Sequence, residues 1–220
     1  MTVLRDDWRD GQRCPRIRGK PKRRAWKRSP SSVTRICVHA TAVAGGFGLA
    51  PYQRQAAAMR LRKAGRLSLS LEEIDLEALR ARYRETTYHG IYRQPDDENE
   101  GLSVVQWPIT DYTYHGNGAN GSSVGWAIDG LWSDQHRDPL DVDGARASLR
   151  HLADRAAEQG ADLREITAHA NHANKPHDPG ALVWRAVVRP VAAELGLDIR
   201  PEWTTRGARP VIADWEAACS

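Results

Sequence analysis

Short apolar segments alternate with longer amphipathic segments along this chain, and the two patterns predict different elements. Runs rich in β-branched and apolar residues predict strands at residues 33–40, 86–93, 102–107, 123–128 and 163–168. Apolar residues on one face predict helices at residues 70–83 and 144–159. Composition predicts a helix at residues 52–63, and further helices are predicted at residues 181–195 and, as a short helix, near 213–218. Residues 1–32 show neither pattern and are predicted to be irregular.

Glycine, proline and capping residues indicate where several of these elements end. Gly65 and Gly160 follow helical segments and are expected to terminate them. Ser70 and Glu73 have the spacing of a capping box, so Ser70 is expected to be the N-cap of the helix that follows it. Pro190 is expected to kink or split the helix predicted for residues 181–195.

The order of the elements indicates the fold class. A strand, helices, several strands, a helix, a strand and a last helix are typical of an α/β domain with a central mixed β-sheet flanked by α-helices. A chain of 220 residues is long enough to bury the core of one such domain. We therefore divide the chain into an N-terminal arm, residues 1–32, and a single domain, residues 33–220.

The arm carries the excess of positive charge. The formal net charge is +4, but residues 1–30 contain eleven Lys and Arg against three Asp and Glu, a net +8 that leaves −4 for the rest. Such an arm either contacts an anionic polymer, such as nucleic acid or teichoic acid, or is a solvated tail. We see no apolar run of membrane-spanning length and no secretory signal. We therefore expect a protein that is cytoplasmic on synthesis, and we expect a monomer.

The cysteines indicate neither a disulfide scaffold nor a cysteine-rich zinc site. Cys14, Cys37 and Cys219 are odd in number and form no CxxC pair. Cys37 lies inside the apolar run 33–40, where a cysteine behaves as a small buried hydrophobic residue.

Histidines and an acid are concentrated in one segment. Residues 167–180 contain three histidines, one aspartate and one lysine, directly after a predicted strand. Catalytic zinc is bound by three protein ligands, from His nitrogen and Asp or Glu oxygen, and keeps an open position for water. Two ligands can come from this segment, and the best candidate for the third is His39, in the first predicted strand. The pattern predicts a zinc hydrolase, with His172 facing solvent or lying beside the substrate.

Four segments, in this order, resemble motifs of the zinc-dependent N-acetylmuramoyl-L-alanine amidases, a family that includes phage lysozyme-amidases and peptidoglycan recognition proteins. The resemblance covers roughly residues 33–195. The segments are Val38-His39-Ala40-Thr41, Thr87-Tyr88-His89-Gly90, Tyr114-His115-Gly116 with Asn120-Gly121-Ser122-Ser123-Val124-Gly125, and Ala168-His169 with Asp178-Pro179-Gly180.

The resemblance implies a mixed sheet flanked by helices, one catalytic zinc ion, and cleavage of the amide between N-acetylmuramic acid and L-alanine of peptidoglycan. It implies three roles for the matching residues: zinc ligands, catalytic residues and residues of the substrate groove. These are, respectively, His39, His169 and Asp178; Tyr88 and Lys175; and His115, Asn120 and Ser123.

The chain departs from the family pattern in three places. One branch of the family has a glutamate where this chain has Ala127, so Tyr88, His115 or Asp129 would have to deliver a proton to the leaving nitrogen. In the family the lysine usually stands two residues before the third ligand. Lys175 stands three residues before Asp178 and two before His177, so His177 is also a candidate for the third ligand. The interval from His39 to Tyr88 is longer than usual and contains an additional predicted helix.

The sequence therefore favours a bacteriolytic enzyme, either a phage-type endolysin or a bacterial cell-wall amidase. A muropeptide-binding protein that does not cut its ligand is the alternative. A nucleic-acid-associated protein, with a functional basic arm and a structural zinc ion, is a further alternative.

Overall fold

The computed structural model describes residues 2–6, 28–41, 51–71, 73–75, 77–78, 88–95, 100–113, 115, 119–133, 137–172, 175, 177–200 and 211–217. The strands are β1 (Thr2–Asp6), β2 (Arg35–Ala40), β3 (Gly90–Arg93), β4 (Gly101–Val105), β5 (Ser123–Ile128), β6 (Glu165–Ala168) and β7 (Asp198–Ile199). The helices are α1 (Pro51–Lys63), α2 (Val142–Glu158), α3 (Ala181–Val183), α4 (Arg189–Leu195) and α5 (Val211–Ala217), and the π-helical turn Trp184–Val188 joins α3 to α4.

The strands form one mixed sheet, which confirms the predicted fold class. Their order in the sheet is β1-β4-β3-β5-β2-β6-β7. The β3–β4 pair is antiparallel, and all other neighbours are parallel. β2 lies between β5 and β6, so His39 is paired with Ala127, and Ala168, the last residue of β6, is paired with Val38. The carboxyl ends of β2 and β6 therefore lie side by side, as in other parallel sheets where these ends carry functional groups.

Side-chain alternation gives β2 two different faces. Ile36, Val38 and Ala40 belong to the hydrophobic core, together with Leu149 and Leu152 of α2. Cys37 and His39 are equally buried but point to the opposite face of the sheet, because successive side chains alternate. His39 on this face shares groups of potential metal ligands with the buried residues His115, His169 and Asp178.

The N-terminal segment contradicts one expectation. Residues 1–32 were predicted to be irregular, which is wrong for Thr2–Asp6, because this segment pairs with β4 in parallel at the edge of the sheet. Its hydrogen-bonding partner lies about a hundred residues away, at Gly101–Val105, so no local pattern announces it. The division into an arm and a domain stays a prediction, since residues 7–27 lie outside the described part of the chain.

The predicted helices are confirmed with small shifts. α1 ends before Gly65, whose φ of 87° is left-handed, and α2 is followed by Gly160 with φ 90°. The capping box is present: the Glu73 amide donates to Ser70 Oγ (3.1 Å), and the Ser70 amide donates to a Glu73 carboxylate oxygen (2.9 Å). The predicted residues 79–83 of that helix, and residues 86–87 of the next strand, lie outside the described residues.

Pro190 splits the helix predicted for residues 181–195, but through a π-helical turn rather than a simple kink. Proline has no N–H, so Pro190 cannot bond the carbonyl of Ala186 four residues earlier. The guanidinium of Arg146, in α2, donates to that carbonyl instead (2.9 Å). Among the described residues, no helix is both long and apolar enough to cross a membrane.

Leu149 tests how much the packing of α2 on the sheet contributes to stability. Its side chain is fully buried, so Leu149→Ala is expected to lower the free energy of unfolding by about 2–5 kcal/mol, through lost apolar burial and a cavity. Leu71 is 64% exposed, so Leu71→Ala should change the value by less than about 0.5 kcal/mol. Urea unfolding measures both, and equal effects would contradict this packing.

Candidate metal centre

Three buried side chains from distant parts of the sequence meet at the carboxyl ends of β2 and β6. His39 lies in β2, His169 opens the 3₁₀ turn His169–Asn171 directly after β6, and Asp178 lies in the loop before α3. One ligand atom from each lies within 4.8 Å of the others, and the ring centroids of His39 and His169 are 4.5 Å apart. Tetrahedral zinc holds its ligand atoms about 3.4 Å apart, so small adjustments would complete such a site.

Asp178 is held in this position by β2 and by the turn that follows β6. Its Oδ1 accepts the amide N–H of Ala40 at 2.6 Å, and its Oδ2 lies 2.7 Å from Nδ1 of His169. The loop can return so closely because residue 180 is glycine: φ is +97°, and a Cβ there would lie 2.2 Å from the carbonyl oxygen of Trp132. The glycine of the Asp-Pro-Gly sequence thus has a steric basis in this fold.

The geometry distinguishes the two alternatives for the third ligand. His177 is exposed, whereas Asp178 is 5% exposed and contacts His169. The structure therefore brings Asp178, and not His177, to the two histidines. The assignment of all three as ligands remains a prediction.

A chain of hydrogen bonds sets which nitrogen of His39 carries a proton. Nε2 of His115 lies 3.1 Å from the carbonyl oxygen of Ser123, which can only accept, so the hydrogen of His115 is on Nε2. Nδ1 of His115 is then the acceptor for Nε2–H of His39, at 3.2 Å. Nδ1 of His39 must carry the lone pair, and it is buried with no hydrogen-bond partner among the described residues. A neutral imidazole nitrogen in this situation is suited to bind a metal ion.

Gly125 makes room for this chain of bonds. A Cβ at position 125 of β5 would lie 2.6 Å from Cγ of the His115 ring, closer than any real contact. The ring of His115 therefore lies directly over the backbone of β5 and beside His39. The Gly125 amide also donates to Nδ1 of His89 (3.0 Å), which fixes a third imidazole below the site.

Burial keeps these imidazoles neutral. Desolvation lowers the pKa of His39 well below its usual range, and the neighbouring His169 adds to the shift. Desolvation likewise lowers the pKa of His115 to about 3, although its bond to Ser123 partly opposes the shift. Metals bind the neutral form of imidazole, so the surroundings favour the ligand form at neutral pH.

A second group of potential ligands shares His39. Cys37, His39 and His115 also present ligand atoms within 4.8 Å of one another. Burial, reinforced by the charge of Asp178, raises the pKa of the Cys37 thiol, and a metal would need the thiolate. Nδ1 of His115 is moreover engaged by His39. The group of His39, His169 and Asp178 is therefore the better donor set, and Cys37 is buried, as expected for a small hydrophobic residue.

The two predicted catalytic residues lie close to this centre in different ways. The Tyr88 ring is partly buried, with its centroid 4.8 Å from that of His39, and burial raises the pKa of its phenol. Lys175 is exposed, and its carbonyl accepts the Asp178 amide at 3.1 Å. Its positive charge is among the lesser causes that lower the pKa of His39. Both catalytic roles remain predictions.

The three residues predicted to line the substrate groove are buried and bonded to one another. Besides the bond from His115 to Ser123, the amide of His115 donates to Oδ1 of Asn120 (2.9 Å), and Ser123 Oγ donates to the carbonyl of Ala119 (2.8 Å). The structure thus shows them positioning one another. Their contact with a substrate stays a prediction.

Three residues of the site were missed or misjudged from the sequence. His172 was expected to face solvent or substrate, but it is fully buried, with Nε2 3.3 Å from Thr167 Oγ1, because the 3₁₀ turn directs it under β6. His89 was noted only as part of the motif Thr87–Gly90. In the structure it directly precedes β3 and is fully buried. Arg28 was counted with the basic arm, and no pattern in the sequence distinguishes it there.

The chain was compared with known proteins. No family model matches the sequence, and no curated protein does. Among solved structures, it is similar to the endolysin amidase LysCS from Clostridium intestinale URNW (14% identity, 90% of this chain and 97% of that one, TM-score 0.45) and to Drosophila PGRP-LB (13%, 90% and 97%, 0.47). It is also similar to the Ph2119 endolysin from a Thermus scotoductus bacteriophage (18%, 89% and 100%, 0.44). Similarity at this level carries no functional argument, so function must be argued from the site.

Replacement of Gly125 tests the packing of His115. Gly125→Ala is expected to lower the free energy of unfolding by about 1–3 kcal/mol, because the new methyl group and the imidazole cannot occupy the same space. Gly121→Ala is the matched control, since a Cβ there meets no atom within 4 Å. Urea unfolding of both variants measures the difference, and an equal effect would contradict the placement of the ring.

The protonation of the buried histidines can be tested by NMR of the metal-free protein. Long-range ¹H–¹⁵N spectra are expected to show hydrogen on Nε2 of His39 and of His115, with both rings neutral at about pH 6, where an unperturbed histidine is largely protonated. The urea-unfolded chain, whose histidines titrate normally, is the control. Hydrogen on Nδ1 of His115 would contradict the bonding described above.

The same shifts give the direction of the pH dependence of stability. These pKa values are lowered in the folded state, so below about pH 6.5 the unfolded state binds more protons. The free energy of unfolding should therefore have its full value above about pH 7. On acidification it should decrease, by up to about 1.4 kcal/mol per pH unit for each such histidine.

Proposed function

We propose that this protein is a zinc-dependent peptidoglycan hydrolase that cleaves the amide between N-acetylmuramic acid and the L-alanine of the stem peptide. The observation that carries the proposal is the convergence of His39, His169 and Asp178, in which Nδ1 of His39 is buried with no other partner among the described residues. The substrate class is taken from the four motifs that resemble the amidase family.

The donor set fits zinc. Two neutral imidazoles and one carboxylate are among the ligand sets of catalytic zinc, and they leave a position for water. Bound there, zinc would polarise the scissile carbonyl and lower the pKa of water to about 7. Binding through Nδ1 of His169 and Oδ2 of Asp178 would displace the hydrogen that lies between them, and the neutral imidazole can carry that hydrogen on Nε2 instead.

Tyr88 is placed to stabilise the negative charge that develops on the scissile carbonyl oxygen. Burial raises the pKa of its phenol, so the group stays protonated and can donate a hydrogen bond. Removing one such donor in a known hydrolase costs about 3–4 kcal/mol of transition-state stabilisation. The exposed ammonium of Lys175 adds positive charge at the open side of the site.

The geometry also bears on the proton for the leaving nitrogen. Ala127 is the β5 neighbour of His39, so the sheet has no carboxylate at this position. Both nitrogens of His115 are engaged by His39 and Ser123. The carboxylate of Asp129 is buried and accepts from Thr41 Oγ1 at 2.7 Å. Of the three groups that could deliver the proton, Tyr88 is therefore the one we favour, and its phenolate would regain a proton from the attacking water.

A muropeptide-binding protein without hydrolytic activity is the second candidate. Ala127 favours it, because this position next to His39 holds a glutamate in one branch of the amidase family. The two candidates differ in product formation, and not in the binding of peptidoglycan.

Zinc content and product release test the proposal together. The purified protein is expected to contain about one zinc ion per chain and to release free N-terminal L-alanine from peptidoglycan. His39→Ala, His169→Ala and Asp178→Asn should lose both properties. His177→Ala is the matched control, because this neighbouring histidine is exposed and should retain both.

A further variant separates the chemistry from metal binding. Tyr88→Phe should keep the zinc and lower the rate about 10²–10³-fold, as expected when one oxyanion donor is lost. Folded protein that binds no zinc and releases no product would end the proposal. Binding of muropeptides without product release would select the second candidate.

A further inference from the structure

Arg28, the last basic residue of the N-terminal segment, reaches the residues that support the metal centre. Its Nε donates to the carbonyl of Ile109 (2.7 Å). Its Nη1 donates to the carbonyls of both Asn120 (2.6 Å) and Ser123 (2.8 Å). Its amide also donates to the carbonyl of Thr110 (2.9 Å). These partners lie 81 to 95 residues away along the chain, so the contacts form only in the folded protein.

The partners of Arg28 are the same groups that hold His115. The carbonyl oxygen of Ser123 accepts from Arg28 Nη1 and from His115 Nε2, which uses both of its lone pairs. Asn120 is bound twice: its carbonyl accepts from Arg28, and its side-chain oxygen accepts the amide of His115. The guanidinium therefore fixes the two acceptors that determine where the ring of His115 lies.

The guanidinium of Arg28 also lies close to the imidazole of His89, which is bonded to β5. Its Nη2 is 3.1 Å from Nε2 of His89, whose Nδ1 accepts the amide of Gly125, the residue over which His115 packs. Burial lowers the pKa of Arg28 to about 10, so the guanidinium remains cationic at neutral pH. Its charge opposes protonation of the neighbouring imidazoles of His89 and His115.

We propose that Arg28 is a positioning residue of the metal site, which sets the tautomer and orientation of His39 through the Ser123 carbonyl and the ring of His115. This inference rests on the proposed function in one respect, because it takes His39 as a metal ligand. It changes the interpretation of the N-terminal segment. A deletion of residues 1–30 removes Arg28 with the rest of the basic charge, so its effects do not report on anionic polymers alone.

The test uses three full-length variants and zinc as the probe. Arg28→Ala removes the guanidinium, and Arg28→Lys keeps the charge but lacks the planar fork that binds several carbonyls at once. Arg146→Ala is the matched control, since this arginine also donates to a backbone carbonyl, that of Ala186, away from the site. Zinc dissociation constants come from competition with a chromophoric chelator at a temperature where each variant is folded.

Both Arg28 variants are expected to bind zinc about 10–100-fold more weakly, the usual effect of losing a group that orients a metal-binding histidine. Arg146→Ala should bind as the wild type does. The visible spectrum of the cobalt-substituted protein should change in the Arg28 variants, because the orientation of His39 changes. A purely structural arginine would lower the melting temperature without altering the spectrum or the affinity of the folded protein.

Each outcome is decisive for one proposal. Wild-type protein that binds no zinc would overturn the proposed function. Zinc-binding wild type together with unchanged affinity and spectrum in a folded Arg28 variant would overturn the role of Arg28 alone. If neither variant folds, the wild type still decides: hydrogen on Nδ1 of His115 would break the connection from Arg28 to His39.

Discussion

A buried imidazole nitrogen needs a partner, and this requirement organises the polar face of the sheet. His39, His89, His115, His169 and His172 are all buried. An unsatisfied buried polar group costs about 1–3 kcal/mol, so each ring must be bonded or must bind something. His115 donates to the backbone carbonyl of Ser123, and His39 donates to Nδ1 of His115. Nδ1 of His39 has no hydrogen-bond partner among the described residues, and His39 forms a group of potential metal ligands with His169 and Asp178. The hydrogen-bonding requirement and the donor chemistry thus indicate the same place for a metal ion.

The sheet makes this arrangement possible because one strand serves two purposes. β2 directs Ile36, Val38 and Ala40 into the hydrophobic core, while the alternate residues Cys37 and His39 face the site. Its position between β5 and β6 places Ala127 on one side of His39 and the start of the His169 turn on the other. Glycine at position 125 leaves the space that the ring of His115 occupies. Core packing on one face therefore determines the geometry on the other.

Most of the sheet and the proposed ligands could be predicted from the sequence, because their signals are local. The apolar run of β5 was predicted with its observed ends, and His39, His169 and Asp178 each stand beside a strand or in a recognisable turn. Other features depend on partners that are distant in sequence. β1 needs β4 to be recognisable as a strand, and the burial of His172 depends on the turn after β6. Arg28 resembles the other basic residues of its segment until folding brings Asn120 and Ser123 to it.

The hydrogen bonds that orient His39 come from groups of the protein itself, so a metal ion bound there would meet a ring that is already oriented. Zinc-dependent folding is typical of small domains whose ligands are held only by the metal. Here the supporting groups are the backbone carbonyls of Ser123, at the start of β5, and of Asn120, in the turn before it. Arg28 binds both carbonyls and also donates to the carbonyl of Ile109. The cost of orienting His39 is thus met during folding and is not subtracted from the binding of the metal. On our proposal, the guanidinium of Arg28 influences metal affinity in this way, through the Asn120 and Ser123 carbonyls and without touching a ligand.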